Sequence, residues 1–237
     1  MRLILVRHPQ TEANVKKLIY GRTESNYSKE GEATIPGIVE ALHRAEVDVI
    51  ISSPLKRTRY LAQQIAKDHG YDEALIQIDD RVAEMHFGVL ENLTIERAKE
   101  EHKEIYEGLL ANYEEYVLPG GESFTMVYDR VKDFLQELYD RYEAGRDTRQ
   151  TELNAWEECT GDVEECLPQK CDPEKTVVVV AHSMVIHGAL AYLLNMDLKD
   201  IWHIKTEPGA IVDLDYRCDF AMLQGLSGPF NIRKTEK

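Results

Sequence analysis

Thr176-Val177-Val178-Val179-Val180-Ala181-His182-Ser183 carries the clearest strand signal in the chain. Its β-branched run favours extended backbone. A stretch apolar at every position, not at alternate ones, is expected of a strand buried on both faces. Leu3-Ile4-Leu5-Val6 has the same character, and 47–51 reads as another such strand. A third short strand is expected over 75–78, and a late strand pair over 210–216 and 220–223. Helices fall between them, over 30–45 and 183–195 and from Ser52-Ser53-Pro54 to about His69. There a serine is the N-cap candidate, Pro54 sits in the first turn, and Gly70 stops the helix. Strands alternating with helices predict an α/β fold: a mainly parallel sheet covered on both faces, a three-layer sandwich. Two long helix-patterned stretches, 94–116 and 123–142, interrupt the alternation and read as a helical cap insertion over about 93–142. One domain spanning 1–237 is expected, with an acidic surface excursion over about 143–175 that carries 10 acidic and 4 basic residues.

With 237 residues, 43% hydrophobic and 30% charged, the chain has an ordinary globular composition. No apolar run approaches the ~18 residues of a membrane span, and the N-terminal run is too short for a signal peptide. The net charge of −15 argues against nucleic acid or an anionic membrane as partner. That charge is uneven. Residues 1–60 carry 10 Lys/Arg against 7 Asp/Glu, so a local basic focus for an anion belongs there. Cys159, Cys166, Cys171 and Cys218 lack zinc-site spacing and read as reduced thiols of a cytoplasmic protein.

Open α/β sheets bind ligands beyond the carboxyl ends of their strands. Three strand ends here run directly into suggestive residues. The first leads into Arg7-His8, the second through Ser52-Ser53-Pro54 to Arg57, and the third into His182-Ser183. Taken singly, each has an ordinary reading: a histidine after a strand is usually structural, and a helix arginine is usually solvated. Two guanidinium forks and two imidazoles at one sheet edge suit a phosphoryl group. Alternation would send Arg7 and His8 to opposite faces of a regular strand. The chain must therefore bend there, and Pro9 helps to break the strand. His187, five residues after His182, is not at a metal-ligand spacing, and no metal site is expected.

The segment Arg7-His8-Pro9-Gln10-Thr11-Glu12-Ala13-Asn14 resembles the Arg-His-Gly-Glu/Gln-Thr-x-x-Asn signature of the histidine phosphatase superfamily, the phosphoglycerate mutase-like fold. Five further stretches follow in the family's order. Gly21 to Gly31 resembles its Gly-x-x-Asp-x-x-Leu-Thr-x-x-Gly, and Ser52-Ser53-Pro54-Leu55-Lys56-Arg57-Thr58 its Ser-x-Leu-x-Arg-Ala/Thr. Glu84 to Asn92 resembles Glu-x-x-Phe/Tyr-Gly-x-x-Glu-Gly. Pro119-Gly120-Gly121-Glu122-Ser123 is similar to the Pro-Gly-Gly-Glu-Ser of the phosphatase branch, and Val180-Ala181-His182-Ser183 to Val-x-His-Gly.

The resemblance implies a metal-independent phosphatase of the histidine acid phosphatase type. It would act on a small phosphorylated substrate through a phosphohistidine. It implies His8 as nucleophile and Glu84 as general acid and base. Arg7, Arg57, His182, Asn14 and Gly21 would bind the phosphate, and Arg22, Thr23 and Ser183 are candidate substrate contacts. No cofactor is implied. A phosphoglycerate mutase, an isomerase that would need 2,3-bisphosphoglycerate, is the alternative, and a non-catalytic phosphate-binding module is a third reading. Oligomeric state is left open. Two departures matter. Pro9 replaces the usual glycine, which removes an N–H but keeps the carbonyl. Ser183 replaces another glycine, and its hydroxyl is expected either to reach phosphate or to cap the following helix.

Overall fold

A computed structural model describes residues 1–142, 175–217 and 220–228. Strand β1 (Arg2–Arg7) leads to a one-turn helix α1 (Glu12–Val15), a short β2 (Leu18–Ile19) and helix α2 (Lys29–Leu42). Then come β3 (Val49–Ser52), α3 (Lys56–Asp68), β4 (Gln77–Ile78) and β5 (Leu93–Thr94). Helices α4 (Ile95–Glu101), α5 (Lys103–Ala111) and α6 (Phe124–Tyr142) follow. The valine run is β6 (Thr176–Ala181), succeeded by α7 (Ser183–Leu193), β7 (Ile211–Arg217) and β8 (Phe220–Ser227).

Six strands form one sheet in the order β4-β3-β6-β1-β7-β8. The first four run parallel, and β7 and β8 are antiparallel additions. Because β6 lies between β3 and β1, all its residues are buried, as a run without alternation requires. The side chains of β1 divide by parity. Leu3 and Leu5 join Val177 and Val179 against Val127, Val131 and Leu135 of α6 and Val185 and Ala189 of α7. Ile4 and Val6 join Val178 and Val180 against Ile35 and Ile38 of α2 and Leu61 and Ile65 of α3. These are the two outer layers of the sandwich. Each fully buried aliphatic side chain stabilises it by roughly 1.5–3 kcal/mol relative to exposure.

Several elements differ from the sequence reading. Neither Ser52 nor Ser53 caps α3. Ser52 ends β3, and the Ser53 N–H continues the sheet pairing to the Val180 carbonyl at 3.1 Å. The N-cap is Leu55, which makes no side-chain cap bond, and Pro54 precedes it. Of 75–78, only Gln77 and Ile78 pair with β3. The residues before them, Glu73–Leu75, close a 3₁₀ turn capped by Asp72. The stretch 94–116 is two helices, broken at His102 with no glycine or proline there. The reversal after Ala111 lets the Tyr116 ring close on Gly108. Within the helical insertion, α6 serves also as a layer helix, with Phe124, Val127, Val131, Phe134, Leu135 and Leu138 buried. A two-stranded β2–β5 sheet, unsuspected from the sequence, ties the insertion to the chain after α1. The acidic stretch read over 143–175 lies outside the described residues except Lys175, and so do all four cysteines. Among the described residues, no helix is long and apolar enough to cross a membrane.

Candidate active site

Strand register assembles the site. Val6 and Ser52 both pair with Val180, so the chain leaves β1, β3 and β6 at one level. The next residues are Arg7 and His8, Ser53, and Ala181 and His182. The His8 N–H extends the ladder to the Ala181 carbonyl at 3.2 Å, and the His8 carbonyl accepts from the Gly209 N–H at 3.1 Å. β1 ends at Arg7, two residues before Pro9.

Both imidazoles are buried, His8 at 2% exposure and His182 at 0%. Their ring centroids lie 5.1 Å apart, edge to face. His8 Nδ1 is 2.7 Å from the Pro9 carbonyl. A carbonyl only accepts, so Nδ1 carries the hydrogen and Nε2 keeps its lone pair. The group that orients the ring is the Pro9 carbonyl, which proline retains. His182 places Nε2 2.7 Å from Ser53 Oγ, and its Nδ1 is buried without a partner. Burial first, then the charge of Arg57, holds both rings well below the usual imidazole range.

Arg57 is 3% exposed. It donates from Nη1 to the Thr23 carbonyl at 2.9 Å and from Nη2 to the Gly21 carbonyl at 2.5 Å. Its guanidinium lies over the Tyr20 ring, 4.9 Å from the centroid. Arg7 donates from Nη1 to the Thr206 carbonyl. In both arginines Nε is buried without a partner, and neither forms an ion pair among the described residues. Two desolvated cations with no carboxylate in direct contact are costly, and an anion placed between them offsets that cost.

Glu84 is 6% exposed and sits at the N-terminus of α7. Its carboxyl accepts from the Met85, Ser183 and Met184 N–H groups at 2.9, 3.1 and 3.2 Å. Burial pushes its pKa above the ordinary carboxyl range, against the opposing pull of the Met85 N–H and the charges of Arg57, Arg7 and Arg130.

The remaining candidates divide. Asn14 turns its Oδ1 inward to Thr11 N, Thr11 Oγ1 and Tyr20 OH at 3.0, 3.1 and 2.9 Å, as half of a capping box. Only its amide nitrogen is left for a ligand. The close approach at Gly21 is to protein: a Cβ there would lie 1.6 Å from the Met85 carbonyl oxygen. The Thr23 hydroxyl is already given to Glu91, which also accepts the Arg22 and Thr23 N–H groups at 2.9 Å each. Arg22 keeps a buried Nε without a partner. Ser183 does not cap α7 with its hydroxyl. His182 is the N-cap residue, with no side-chain cap bond, and Ser183 contributes its N–H to Glu84. Four contributors escaped the sequence reading as site residues: Ser53, Tyr20, Glu91 and the Thr206 carbonyl. A cleft of about 280 Å³, lined in part by Glu12, Lys16, Tyr20, Thr23, Glu24 and Lys56, includes none of Arg7, His8, Arg57, Glu84 and His182 in its walls and meets the cluster through Tyr20 and Thr23, which contact Arg57. No cluster of three or more His, Cys, Asp or Glu side chains among the described residues is arranged to hold a metal ion.

A model of the histidine phosphatase superfamily (branch 1) matches residues 3–148 and 161–226. The chain is 29% identical over 230 residues to phosphoserine phosphatase 1 of Hydrogenobacter thermophilus, covering 92% of this chain and 93% of that one. It is 25% identical over 227 residues to adenosylcobalamin/alpha-ribazole phosphatase of Salmonella typhimurium, covering 96% of each. Among solved structures, the alpha-ribazole phosphatase from Shigella flexneri superimposes with a TM-score of 0.74. It is 23% identical, with 95% of this chain and 96% of that one covered, a likeness of fold.

Proposed function

The chain belongs to the histidine phosphatase superfamily, branch 1, and from that premise we propose that it hydrolyses the phosphate monoester of a small metabolite through a phosphohistidine on His8. One observation carries the reading. The lone pair of His8 Nε2 lies in a buried cluster with three nitrogens that lack partners, the donors Arg7 Nε and Arg57 Nε and the ring nitrogen His182 Nδ1. A phosphoryl group fills that arrangement: phosphorus meets the lone pair while its equatorial oxygens meet the donors.

In the first step a bond forms between His8 Nε2 and phosphorus as the bond to the leaving oxygen breaks. Glu84, protonated, gives its proton to that oxygen. In the second step water attacks phosphorus, Glu84 takes the water's proton, and the His8–phosphorus bond breaks to release phosphate. Arg7, Arg57 and His182 stabilise the charge spread over the equatorial oxygens, and the Asn14 amide nitrogen adds a neutral donor. The cleft beside Tyr20 and Thr23 is where the rest of the substrate is read, with Lys16 and Lys56 at its rim.

The test is phosphate release from a panel of phosphorylated amino acids, sugars, glycerate derivatives and ribazole-type nucleotides, in the presence of EDTA. Undiminished release from at least one member is the expected result. Isomer formation without free phosphate would identify a mutase instead, and neither product would leave a binding module.

Glu84 sets the sign of the pH dependence. It acts first as an acid, so activity is present where the carboxyl is protonated and falls as pH rises through its raised pKa. His8 is held well below the usual imidazole range, so it stays neutral across that window. Hydrolysis of an alkyl phosphate is therefore expected to decline from mildly acidic towards alkaline pH. Glu84→Gln removes that limb and lowers kcat/KM, which reports the first step, by about 10²–10⁴-fold on an alkyl phosphate. With p-nitrophenyl phosphate, whose leaving group departs without a proton, the loss of kcat/KM is much smaller, while kcat still falls because the second step keeps its need for a base. An equal loss of kcat/KM on both esters would assign Glu84 another role.

A further inference from the structure

We infer that Ser53 is a positioning residue that fixes His182 as its Nδ1–H tautomer, so that His182 meets the phosphoryl group as a neutral hydrogen-bond donor. The catalytic meaning rests on the phosphatase reading, whereas the tautomer itself stands on geometry alone.

Ser53 is 0% exposed, and its Oγ lies 2.7 Å from His182 Nε2. Oγ also accepts, weakly, from the Leu55 N–H at 3.4 Å. If Nε2 carried the imidazole hydrogen, Oγ would accept twice and its own hydrogen would need an acceptor. None is present among the described residues: the contacts of Oγ are the Leu55 N–H and His182 Nε2, and the Ser53 carbonyl faces Ser52 Oγ at 2.9 Å and Thr58 Oγ1 at 3.0 Å, the latter shared with the Leu55 carbonyl at 2.8 Å. A buried hydroxyl hydrogen without an acceptor is disfavoured. The other arrangement leaves nothing unpaired on Ser53. Oγ–H donates to Nε2, and the imidazole hydrogen sits on Nδ1, the buried nitrogen that lacks a protein partner. Burial and the nearby arginines keep the ring neutral, so it has one hydrogen to place.

The result pairs with His8. Both rings hold their hydrogen on Nδ1, but they are anchored by opposite nitrogens. His8 is anchored through Nδ1–H to the Pro9 carbonyl and offers a lone pair. His182 is anchored through Nε2 to Ser53 and offers a hydrogen. Two identical tautomers thereby supply a nucleophile and a donor 5.1 Å apart between ring centroids. The opposite tautomer would turn a lone pair towards phosphate oxygens, which repels them.

The experiment is a two-bond ¹H–¹⁵N correlation spectrum of the full chain labelled with ¹⁵N-histidine, near neutral pH. His182 signals are assigned by their loss in His182→Gln. The wild type is expected to show a protonated Nδ1 and an unprotonated Nε2. Ser53→Ala is expected to lose that pattern and Ser53→Thr to keep it. In parallel, Ser53→Ala should lower kcat/KM by about 10–100-fold, chiefly in kcat, with most of it recovered in Ser53→Thr. A wild-type His182 protonated on Nε2 overturns the inference, and that spectrum needs no variant of Ser53 to fold. So does a Ser53→Ala protein whose tautomer or kcat/KM is unchanged. Absence of hydrolysis by the wild type would count against the phosphatase reading and leave the tautomer assignment as the spectrum finds it.

Discussion

His8→Ala is expected to lose phosphate release by a factor on the order of 10⁴–10⁶, the scale of removing a nucleophile that works as part of a unit. No other group can take its place. The second imidazole is neutral like the first, but its Nε2 is held by Ser53, 2.7 Å away, and faces no acceptor site for phosphorus. Ser52 and Ser53 are fully buried, and the Ser52 hydroxyl donates to the Ser53 carbonyl. The loss therefore falls on kcat, while binding of inorganic phosphate persists because both guanidinium groups remain. Brief reaction of the wild type with ³²P-labelled substrate, quenched in base, is expected to leave acid-labile label on protein. His8→Ala should show none. Retention of more than about 1% of the wild-type rate would mean that another group attacks phosphorus.

The legible part of this site follows from what sequence encodes locally. A short, β-branched, non-alternating run such as 176–181 reads as a strand buried on both faces, and parallel strands of equal depth bring their following residues to one edge. That places Arg7, His8 and His182 without any knowledge of distance. The parts not legible depend on partners far along the chain. A serine ahead of a helix looks like an N-cap whether or not it is one. The backbone of Ser53 instead pairs with Val180, and its hydroxyl meets His182, 129 residues away. The Thr206 carbonyl that holds Arg7 is a backbone group and leaves no mark in residue identity. Strands β2 and β5 have two residues each, too few to show a period. Glu91 was within a quoted motif, but its task, gathering the N–H groups of Arg22 and Thr23, exists only once residues 21–23 fold against it. Asn14 and Thr23 carry a second task that residue identity does not show: the Asn14 Oδ1 and the Thr23 hydroxyl hold neighbouring protein groups.

Arg57→Ala is expected to separate activity from stability, because the guanidinium does two opposed things. In transfer, it supplies charge and a donor to the phosphoryl oxygens, and loss of such an arginine costs about 10³–10⁵-fold. In the free protein, it satisfies the Gly21 and Thr23 carbonyls. Leaving those unpaired costs about 1–3 kcal/mol each. Against this stands relief: the variant no longer buries a cation that lacks a carboxylate, a penalty of several kcal/mol per ion. The terms are of similar size, so the melting temperature of the ligand-free variant should lie close to that of the wild type. Ligand changes the comparison. Inorganic phosphate at about 100 times its dissociation constant stabilises the wild type by about 2.7 kcal/mol, and the variant should gain almost nothing at the same concentration. Arg57→Lys keeps the charge but is a single ammonium. It cannot hold two carbonyls and a phosphate oxygen in the fixed fork that arginine supplies. It should recover part of the phosphate-induced stabilisation and little of kcat. If Arg57→Ala instead melted far below the wild type yet kept its response to phosphate, the residue would be a brace for residues 21–23 and the anion would be held elsewhere. Melting curves with and without phosphate distinguish the two, since only a group that meets the anion loses the ligand shift while the free fold survives.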